Sequence, residues 1–527
     1  MSFRILISDP LQSSGIDILR ESGAEVTVLP EEERPRLAEI LPDYDALVVR
    51  SMTKVTRELL EAGRRLKVVG RAGIGVDNID VAAATERGIL VVNAPTANLL
   101  SATEHTFALL LAAARNIPAA DASIKAGQWD RKRFVGHELQ GKTLGVIGFG
   151  RIGQKVADRA RAFGMEVIAS DPFLDAEVAR RQGVELLDLD DLLARADVVT
   201  LHTPLTDGTR GLLSAARIRS LKEGALLVNC ARGGLVDEAA LLEALEAGRL
   251  AGVGLDVFSA EPPPDLALVR HPKVVATPHI GAQTREAQQR IAVETTRMVV
   301  AALEGSLAVT AVNLPFRPAG TQGEPYLRLG ELLGRLASGL TEGGVEALEV
   351  DLWGIDEAFR VPAAVAVLKG ALEPFLGEAV NYVNAERVAA ARGIEVVRST
   401  HSSSRDYPHL VGVTLSGGGR RVSVHGTLFG ERDPRVVEFE GFRLEFRPEG
   451  KLLVLRNRDV PGVVGKIGTL LGRSGVNIGD IHLARQGVEG EELALAVLRL
   501  DQEPSEETLK ELVALPEVSW ARVVDVD

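Results

Sequence analysis

Cysteine is almost absent from this chain: Cys230 is the single one among 527 residues, beside nine histidines and 4% aromatic residues. One thiol excludes internal disulfides and any cysteine cluster for a metal, so redox chemistry would need a bound cofactor. No window of about 18 residues is uninterruptedly apolar, and the opening residues lack a basic segment followed by a long apolar run. We therefore expect a cytoplasmic chain with no metal site and no membrane partner.

Positive charge is also in deficit, since 60 Lys and Arg against 73 Asp and Glu give a formal net charge of -13. This balance argues against a general attraction to nucleic acid or to anionic membrane. We expect no nucleic-acid partner, and an anionic substrate would need a local cationic pocket. The hydrophobic fraction of 46% and the charged fraction of 25% are typical of packed globular domains.

Two series of alternating strands and helices fill the N-terminal part of the chain. Residues 3–91 alternate short aliphatic runs with helical segments, and a second series starts abruptly at GKTLGVIGFG. This alternation predicts parallel sheets, so we expect two doubly wound, Rossmann-like α/β domains. The segment SATEHTFALLLAAAR predicts a long helix, with Ser101 as its N-cap and Glu104 as the capping-box partner.

The C-terminal part has a different order of elements. Residues 317–325, RPAGTQGEP, concentrate proline, glycine and polar residues, which predicts a linker. From 326 to about 447 helices mix with strands, which predicts an α+β domain. Residues 451–527 have the order strand, helix, two strands, helix and strand, so we expect a ferredoxin-like βαββαβ unit.

A glycine-rich motif, GVIGFGRIG, predicts a dinucleotide site. Gly148, Gly150 and Gly153 form G-x-G-x-x-G after an apolar strand and at the start of a helix, and Asp171 ends the next strand. Gly148 permits the tight turn, Gly150 lets the backbone approach a pyrophosphate, and Gly153 lets the helix pack on the strand. Asp171 would bind the adenosine ribose and repel a 2'-phosphate, which favours NAD over NADP.

Three polar residues lie after strands of the same predicted sheet. His279, in TPHIG, suits the proton transfer that oxidation of an alcohol requires. Arg232, in ARGGLVDE, could hold a substrate carboxylate. Glu261, in SAEPPP, would orient the His279 ring through a hydrogen bond and favour its charged form. Because ligands bind beyond the carboxyl ends of such strands, we expect the three to meet there.

The ordered motifs GVIGFGRIG, ARGGLVDE, LDVFSAEP and TPHIG resemble those of the D-2-hydroxyacid dehydrogenases. The resemblance implies that Arg232, Glu261 and His279 are catalytic and that Asp256, in LDVF, holds the nicotinamide carboxamide of NAD. The other cofactor-binding positions that it implies are Arg151, Ile152, Thr203, Pro204, Cys230, Ala231 and Gly281.

The motifs VVRSMTKVT, VGRAGIGVDNID and NAPTANLLSATEHT of the first series are similar to those of family members that oxidise 3-phospho-D-glycerate at the entry to L-serine biosynthesis. Arg50, Arg71 and Arg131 are candidates for the phosphate, although Arg131 lies in a polar loop where simple solvation is an alternative. The resemblance places backbone contacts to the substrate on Ser51, Gly73, Ile74 and Gly75. Asn98 lines the same cleft or, alternatively, caps the following helix.

The segment NRDVPGVVGKIGTLLGRSGVNIGDI, within the last residues, resembles an ACT domain, a ligand-binding module of amino-acid enzymes. Asn457, Asp459 and Asn477 match positions that bind L-serine in related dehydrogenases, and a purely structural ACT pair is the alternative. The resemblance implies four domains: a substrate-binding domain (1–97 and 284–314), an NAD-binding domain (98–283), an intervening domain (315–449) and the ACT domain (450–527). The intervening domain could bind a regulatory anion or serve as a spacer.

The function expected from this resemblance is oxidation of 3-phospho-D-glycerate by NAD in a homotetramer, with feedback by serine. A glyoxylate or hydroxypyruvate reductase is the nearest alternative, which the first-domain arginines and the C-terminal module disfavour. An NADH-sensing corepressor and an amino-acid sensor with an inactive dehydrogenase body are alternatives from other classes.

Overall fold

The computed structural model describes residues 2–306, 311–316, 322–341, 343–403, 406–430, 432–488 and 491–527. The chain forms two compact units, one comprising Met1–Asn93 with Thr295–Asp527 and the other Ala94–Glu294. Residues 317–321 of the predicted linker lie outside the described residues. The division into four domains remains a prediction.

The first sheet has five parallel strands in the order β2-β1-β3-β4-β5. Its strands are β1 (Arg4–Ile7), β2 (Glu25–Val28), β3 (Ala46–Val49), β4 (Val68–Arg71) and β5 (Leu90–Asn93). Its helices are α1 (Ser13–Glu21), α2 (Leu37–Ile40), α3 (Arg57–Ala62) and α4 (Val81–Glu86). Strand β3 is an unbroken apolar run that is buried throughout, as expected for a parallel strand covered on both faces.

The second unit is built on seven parallel strands in the order β12-β11-β10-β9-β6-β7-β8. These are β6 (Thr143–Ile147), β7 (Glu166–Ser170), β8 (Glu185–Leu186), β9 (Val198–Leu201), β10 (Ala225–Asn229), β11 (Leu250–Leu255) and β12 (Val274–Ala276). The strand order reverses between β6 and β9. The carboxyl ends of these strands are therefore the expected ligand edge of the sheet.

The helices of the second unit cover that sheet. They are α5 (Leu99–Ala114), α6 (Ile117–Lys125), α7 (Arg151–Ala162), α8 (Ala176–Arg181), α9 (Leu189–Arg195), α10 (Ala215–Ser220), α11 (Glu238–Glu246) and α12 (Ala267–Arg270), and α13 (Arg285–Leu303) contributes to both units. Among the described residues no single helix is long and apolar enough to cross a membrane. Helices α5 and α6, which are bent by 63° at the break between them, reach that length and apolar composition only when they are taken together.

The predicted start of α5 is wrong. The helix begins at Leu99 with Asn98 at the N-cap, so Ser101 lies inside the first turn. The Ser101 hydroxyl donates to the Asn98 carbonyl at 3.0 Å, and the residue is buried. Ser101 therefore bonds back within the helix as a buried packing residue, and the local capping pattern did not decide the boundary.

The six-stranded sheet of the C-terminal part has the order β14-β13-β15-β16-β17-β18. Its strands are β13 (Ala347–Trp353), β14 (Glu395–His401), β15 (Leu410–Gly417), β16 (Arg420–Phe429), β17 (Asp433–Phe439) and β18 (Phe442–Phe446), and its helices are α14 (Glu324–Gly339), α15 (Glu357–Leu376) and α16 (Ala385–Ala391). Strands β15 and β17 are not among those predicted, because Gly412 and Pro434 weaken their strand pattern.

The last sheet is antiparallel in the order β20-β21-β19-β22. Its elements are β19 (Lys451–Arg458), α17 (Val463–Arg473), β20 (Ile478–Val488), β21 (Glu491–Leu500), α18 (Glu506–Val513) and β22 (Val518–Asp525). The predicted ferredoxin-like βαββαβ unit is confirmed.

Candidate active site

The glycine-rich motif joins β6 to α7 and leaves a helix N-terminus open. Gly148 has φ 88°, and a Cβ on Gly153 would lie 2.3 Å from the Gly148 carbonyl oxygen, so only glycine allows this packing. Gly150 is the N-cap of α7, and a Cβ added to it would lie more than 4 Å from every neighbouring atom. Arg151 and Ile152 begin the helix. This open N-terminus fits the pyrophosphate of a dinucleotide.

Asp171 follows β7 and reaches the glycine-rich loop. One carboxylate oxygen accepts from the Phe149 amide and the other from the Phe173 amide, each at 2.9 Å. These bonds fix the carboxylate beside the loop. A negative charge held there fits ribose hydroxyls and opposes a 2'-phosphate.

The residues after β9 include an uncharged histidine ring and a threonine hydroxyl. Among the described residues the buried Thr203 hydroxyl has no hydrogen-bond partner, and the next carbonyl, of Pro204, accepts from Thr209 at 2.7 Å. An unpartnered buried hydroxyl is costly, so Thr203 fits contact with a bound polar ligand. Burial lowers the pKa of His202 to about 3, which keeps that ring neutral.

Cys230 and Ala231 follow β10 at the same edge. Burial raises the pKa of the Cys230 thiol to about 12, so it is no thiolate nucleophile. The Ala231 amide donates to the Asn229 side chain at 3.0 Å, which fixes the loop before Arg232. No group of three or more His, Cys, Asp or Glu residues in the described part of the chain could hold a metal ion.

His279 lies in the turn after β12, in a backbone conformation that is unusual for a side chain other than glycine. Its φ is 53°, and its amide donates to the Asp256 carbonyl at 2.9 Å. The ring Nδ1 lies 2.7 Å from Glu261 Oε2, while Glu261 Oε1 accepts from the Phe258 amide at 3.2 Å. The hydrogen bond expected between His279 and Glu261 is therefore present.

The His279–Glu261 pair has the chemistry of a general acid and base. Burial alone would raise the pKa of Glu261, but the hydrogen bond and charge of His279 outweigh it, so the pKa lies below its usual value. An ionised carboxylate only accepts, which makes Nδ1 a donor and leaves Nε2 to exchange a proton.

Arg232 is held on a loop that packs directly on the loop of Glu261. Its Nη1 donates to the Ala231 carbonyl at 2.7 Å, and the Asn229 side chain donates to the Arg232 carbonyl at 2.9 Å. A Cβ on Gly233 would lie 1.7 Å from the Phe258 carbonyl oxygen, so glycine permits this contact between the loops. The structure thus brings the loops of Arg232, Glu261 and His279 to one edge.

Asp256 organises the turn that carries His279. Its side chain is 1% exposed and accepts from the Thr277 hydroxyl and the amides of Ile280 and Gly281, at 2.6, 2.8 and 2.8 Å, while His105 Nε2 lies 3.1 Å away. Burial would raise the pKa of Asp256, but these bonds outweigh it and hold the pKa below its usual value. His105 and Thr277 were not predicted.

Asn98 and Arg131 have different surroundings in this unit. Asn98 stands at the N-cap of α5 but makes no side-chain capping hydrogen bond, and its buried Oδ1 has no partner among the described residues. Arg131 lies on an exposed 3-10 helix, Arg131–Phe134, and makes no hydrogen bond or ion pair with a described site residue.

The first unit carries the other substrate candidates at the carboxyl ends of β3 and β4. The Arg50 amide donates to the buried Asp9 at 2.6 Å. Burial lowers the pKa of the Arg50 side chain, and the negative charge of Asp9, which would raise it, is the smaller effect. A Cβ on Gly73 would lie 1.5 Å from Arg71 Nη1, so Arg71 folds across that glycine. The adjoining loop residues are Ser51, Ile74, whose carbonyl accepts from Asn93 at 2.6 Å, and Gly75.

The three effector candidates all have side-chain contacts in the ACT-like unit. Asn457 is buried, donates to the Arg458 carbonyl at 2.8 Å, and has an Oδ1 without a partner among the described residues. Asp459 lies 3.1 Å from Arg485, and Asn477 donates to Asp501 at 2.6 Å. A ligand here would exchange these contacts for its own.

Comparisons with known families match three parts of the chain. The NAD binding domain of the D-isomer specific 2-hydroxyacid dehydrogenases matches residues 107–281, the D-3-phosphoglycerate dehydrogenase intervening domain 323–440, and the ACT domain 451–517. The predicted fold class and the NAD cofactor are thereby confirmed.

Two full-length relatives are D-3-phosphoglycerate dehydrogenases. That of Methanocaldococcus jannaschii is 44% identical over 99% of this chain and 100% of its own, and that of Bacillus subtilis is 40% identical over the same shares.

Among solved structures, the TT0316 protein from Thermus thermophilus is 40% identical over 59% of this chain and 99% of its own, with a TM-score of 0.54. The D-lactate dehydrogenase of Aquifex aeolicus, complexed with NAD and lactic acid, is 31% identical over 58% of this chain and 96% of its own, with a TM-score of 0.52. The chain belongs to the D-3-phosphoglycerate dehydrogenase family of D-isomer specific 2-hydroxyacid dehydrogenases.

Proposed function

We propose that the protein oxidises 3-phospho-D-glycerate to 3-phosphohydroxypyruvate with NAD, the first step of L-serine biosynthesis. The observation that carries the proposal is the His279–Glu261 pair at 2.7 Å, in which the ring Nε2 has no hydrogen bond to a described residue, in a chain whose full-length relatives bear that enzyme's name. When bound, NAD supplies the acceptor for the hydride.

Each proposed site residue then has a defined role. His279 Nε2 takes the proton of the substrate hydroxyl, and Glu261 stabilises the imidazolium that results. Arg232 pairs with the substrate carboxylate, for which a guanidinium is suited by its two parallel donors. Arg50 and Arg71 are the proposed phosphate ligands, the loop residues Ser51, Gly73, Ile74 and Gly75 offer backbone groups, and Asn98 offers its unused amide oxygen. Arg131 is retained as a weaker phosphate candidate.

A substrate comparison tests this assignment. We expect NADH formation with 3-phospho-D-glycerate, and at least a 100-fold lower kcat/KM with D-glycerate, because D-glycerate lacks the phosphate oxygens that would accept charge-assisted hydrogen bonds from arginine. Arg71→Gln should remove most of that preference for the phosphorylated substrate. Faster reduction of glyoxylate or hydroxypyruvate would favour the reductase, and peptide binding without turnover would favour a corepressor.

Regulation by L-serine belongs to the same proposal. The ACT match and the buried Oδ1 of Asn457, which has no partner among the described residues, support a ligand site that includes Asp459 and Asn477. The proposal keeps the four domains with the predicted boundaries. It also includes assembly of the chain as a homotetramer and a location in the cytoplasm. Sedimentation tests the assembly. Serine titration with Asp459→Asn as the variant tests the effector site, and unchanged inhibition in that variant would contradict it.

A further inference from the structure

One buried hydrogen-bond cluster underlies the turn that carries the proposed acid/base. The Asp256 carboxylate accepts from the Ile280 and Gly281 amides, and its backbone carbonyl accepts from the His279 amide at 2.9 Å. Each amide from His279 to Gly281 thus donates to Asp256, and the His279 amide is shared with the Thr277 carbonyl at 3.0 Å. The turn holds His279 at φ 53°, a conformation that needs support from its surroundings.

Two further side chains contact the Asp256 carboxylate. The Thr277 hydroxyl donates to Asp256 Oδ1 at 2.6 Å, and His105 Nε2 lies 3.0 Å from the same hydroxyl and 3.1 Å from the same carboxylate oxygen. Residue 105 is on α5, whereas Thr277 follows β12. The cluster therefore ties the turn to a helix that is distant in sequence.

The donors and acceptors of this cluster leave one consistent arrangement. The ionised carboxylate only accepts, and the Thr277 hydroxyl uses its single proton on that carboxylate. His105 must then donate from Nε2, shared between the hydroxyl and the carboxylate oxygen. Removing the His105 or the Thr277 side chain leaves the buried Asp256 carboxylate with one hydrogen-bond donor fewer. Because a buried charge without its donors is costly, we expect the turn to move.

We propose that His105 and Thr277 are positioning residues for the proton transfer. Acting through Asp256, they hold the Thr277–Gly281 turn so that His279 presents Nδ1 to Glu261 and Nε2 to the substrate. The inference rests on the proposed function for its kinetic consequence, while the ordering of the turn is a property of the protein without ligands.

Thr277→Val tests the hydroxyl with little change in shape. We expect kcat to fall about 10- to 100-fold, because a displacement of about 1 Å in a catalytic group has that effect. We expect the dissociation constant of NADH, from its fluorescence, to rise by a smaller factor than kcat falls, because the glycine-rich loop that would hold the pyrophosphate is untouched, although Asp256 and Gly281 are cofactor candidates. Thr277→Ser should restore kcat to within about threefold of wild type. His105→Gln, which keeps a donor near Nε2, should retain more activity than His105→Leu.

Thr200→Val is the matched control. Thr200, which is buried, and His202 form a second threonine–histidine pair with the same separation of 3.0 Å between Oγ1 and Nε2, in the same sheet but without Asp256. Its loss should lower thermal stability without the fall in kcat. A serine variant as slow as the valine variant, or an equal fall in Thr200→Val, would overturn the proposal.

Hydrogen exchange of the protein without substrate gives a readout that is independent of turnover. A peptide covering residues 277–281 should exchange at least about tenfold faster in Thr277→Val and as in wild type in Thr200→Val. Unchanged exchange in both variants would overturn the proposal even if the wild type oxidised 3-phospho-D-glycerate. Faster exchange with no wild-type turnover would contradict the proposed function and support only the ordering of the turn by Thr277.

Discussion

The glycine-rich motif allows stability and cofactor affinity to be separated with two alanine substitutions. In Gly153→Ala the new Cβ would lie 2.3 Å from the Gly148 carbonyl oxygen and 3.1 Å from Val146 Cγ1. Neither the carbonyl nor the packed valine can move without shifting α7 from β6. Overpacking of this kind costs about 1–3 kcal/mol, which corresponds to a fall of roughly 2–12 °C in the melting temperature of a unit this size.

Gly150→Ala is the partner variant with the opposite expectation. No atom lies within 4 Å of its added Cβ, and its φ of -73° suits alanine, so stability without cofactor should stay within about 0.5 kcal/mol of wild type. The methyl group would occupy the open space in front of the helix N-terminus. We therefore expect NADH affinity to fall at least about tenfold.

Thermal unfolding without ligand and NADH titration by fluorescence measure the two effects in the same preparations. Gly153→Ala should lose melting temperature, and Gly150→Ala should lose affinity at an unchanged melting temperature. Wild-type NADH affinity in Gly150→Ala would refute the placement of the pyrophosphate at this helix. A wild-type melting temperature in Gly153→Ala would refute the close packing.

Three further substitutions test the electrostatics of the site. Asp171→Ser should raise the ratio of kcat/KM for NADP to that for NAD at least about tenfold, since the repelling charge is gone; an unchanged ratio would exclude Asp171 from cofactor choice. Glu261→Gln should lower kcat about 100-fold or more at unchanged NADH affinity, because a neutral amide no longer stabilises the imidazolium; a kcat within threefold would contradict that role. Burial lowers the pKa of His202 from 6.5 to about 3, so between these values the unfolded chain takes up a proton that the folded protein does not. Stability should therefore fall on acidification through this window by up to about 1.4 kcal/mol per pH unit, and urea unfolding from pH 7 to 5 should show a flatter dependence in His202→Gln.

The features predicted from sequence are those that local sterics decide. The glycines of the motif and the apolar strands such as β3 follow from backbone freedom and from burial on both faces, which neighbouring residues alone can indicate. His279 and Glu261 were predictable because each follows a strand of one parallel sheet, whose carboxyl ends share an edge.

The features that sequence missed depend on contacts between distant residues. His105 and Thr277 meet across 172 positions, and nothing in the helix pattern around His105 distinguishes it from a buried packing residue. Ser101 has the local pattern of an N-cap, but tertiary packing buries it inside α5, and the boundary moved to Asn98. Burial by residues that are distant in sequence, which local patterns do not show, decided the start of α5 and the contact between His105 and Thr277.

The most direct test of the account is NADH formation from 3-phospho-D-glycerate and NAD by wild type and His279→Ala, with His401→Gln as the control. His401 is a second histidine paired with a carboxylate, 3.1 Å from Asp351, and its side chain is 42% exposed against 50% for His279. We predict turnover by wild type and by His401→Gln and a loss of at least about 100-fold in His279→Ala. Equal turnover by all three proteins, or none by wild type, would contradict the assignment of His279 as the acid/base of a 3-phospho-D-glycerate dehydrogenase.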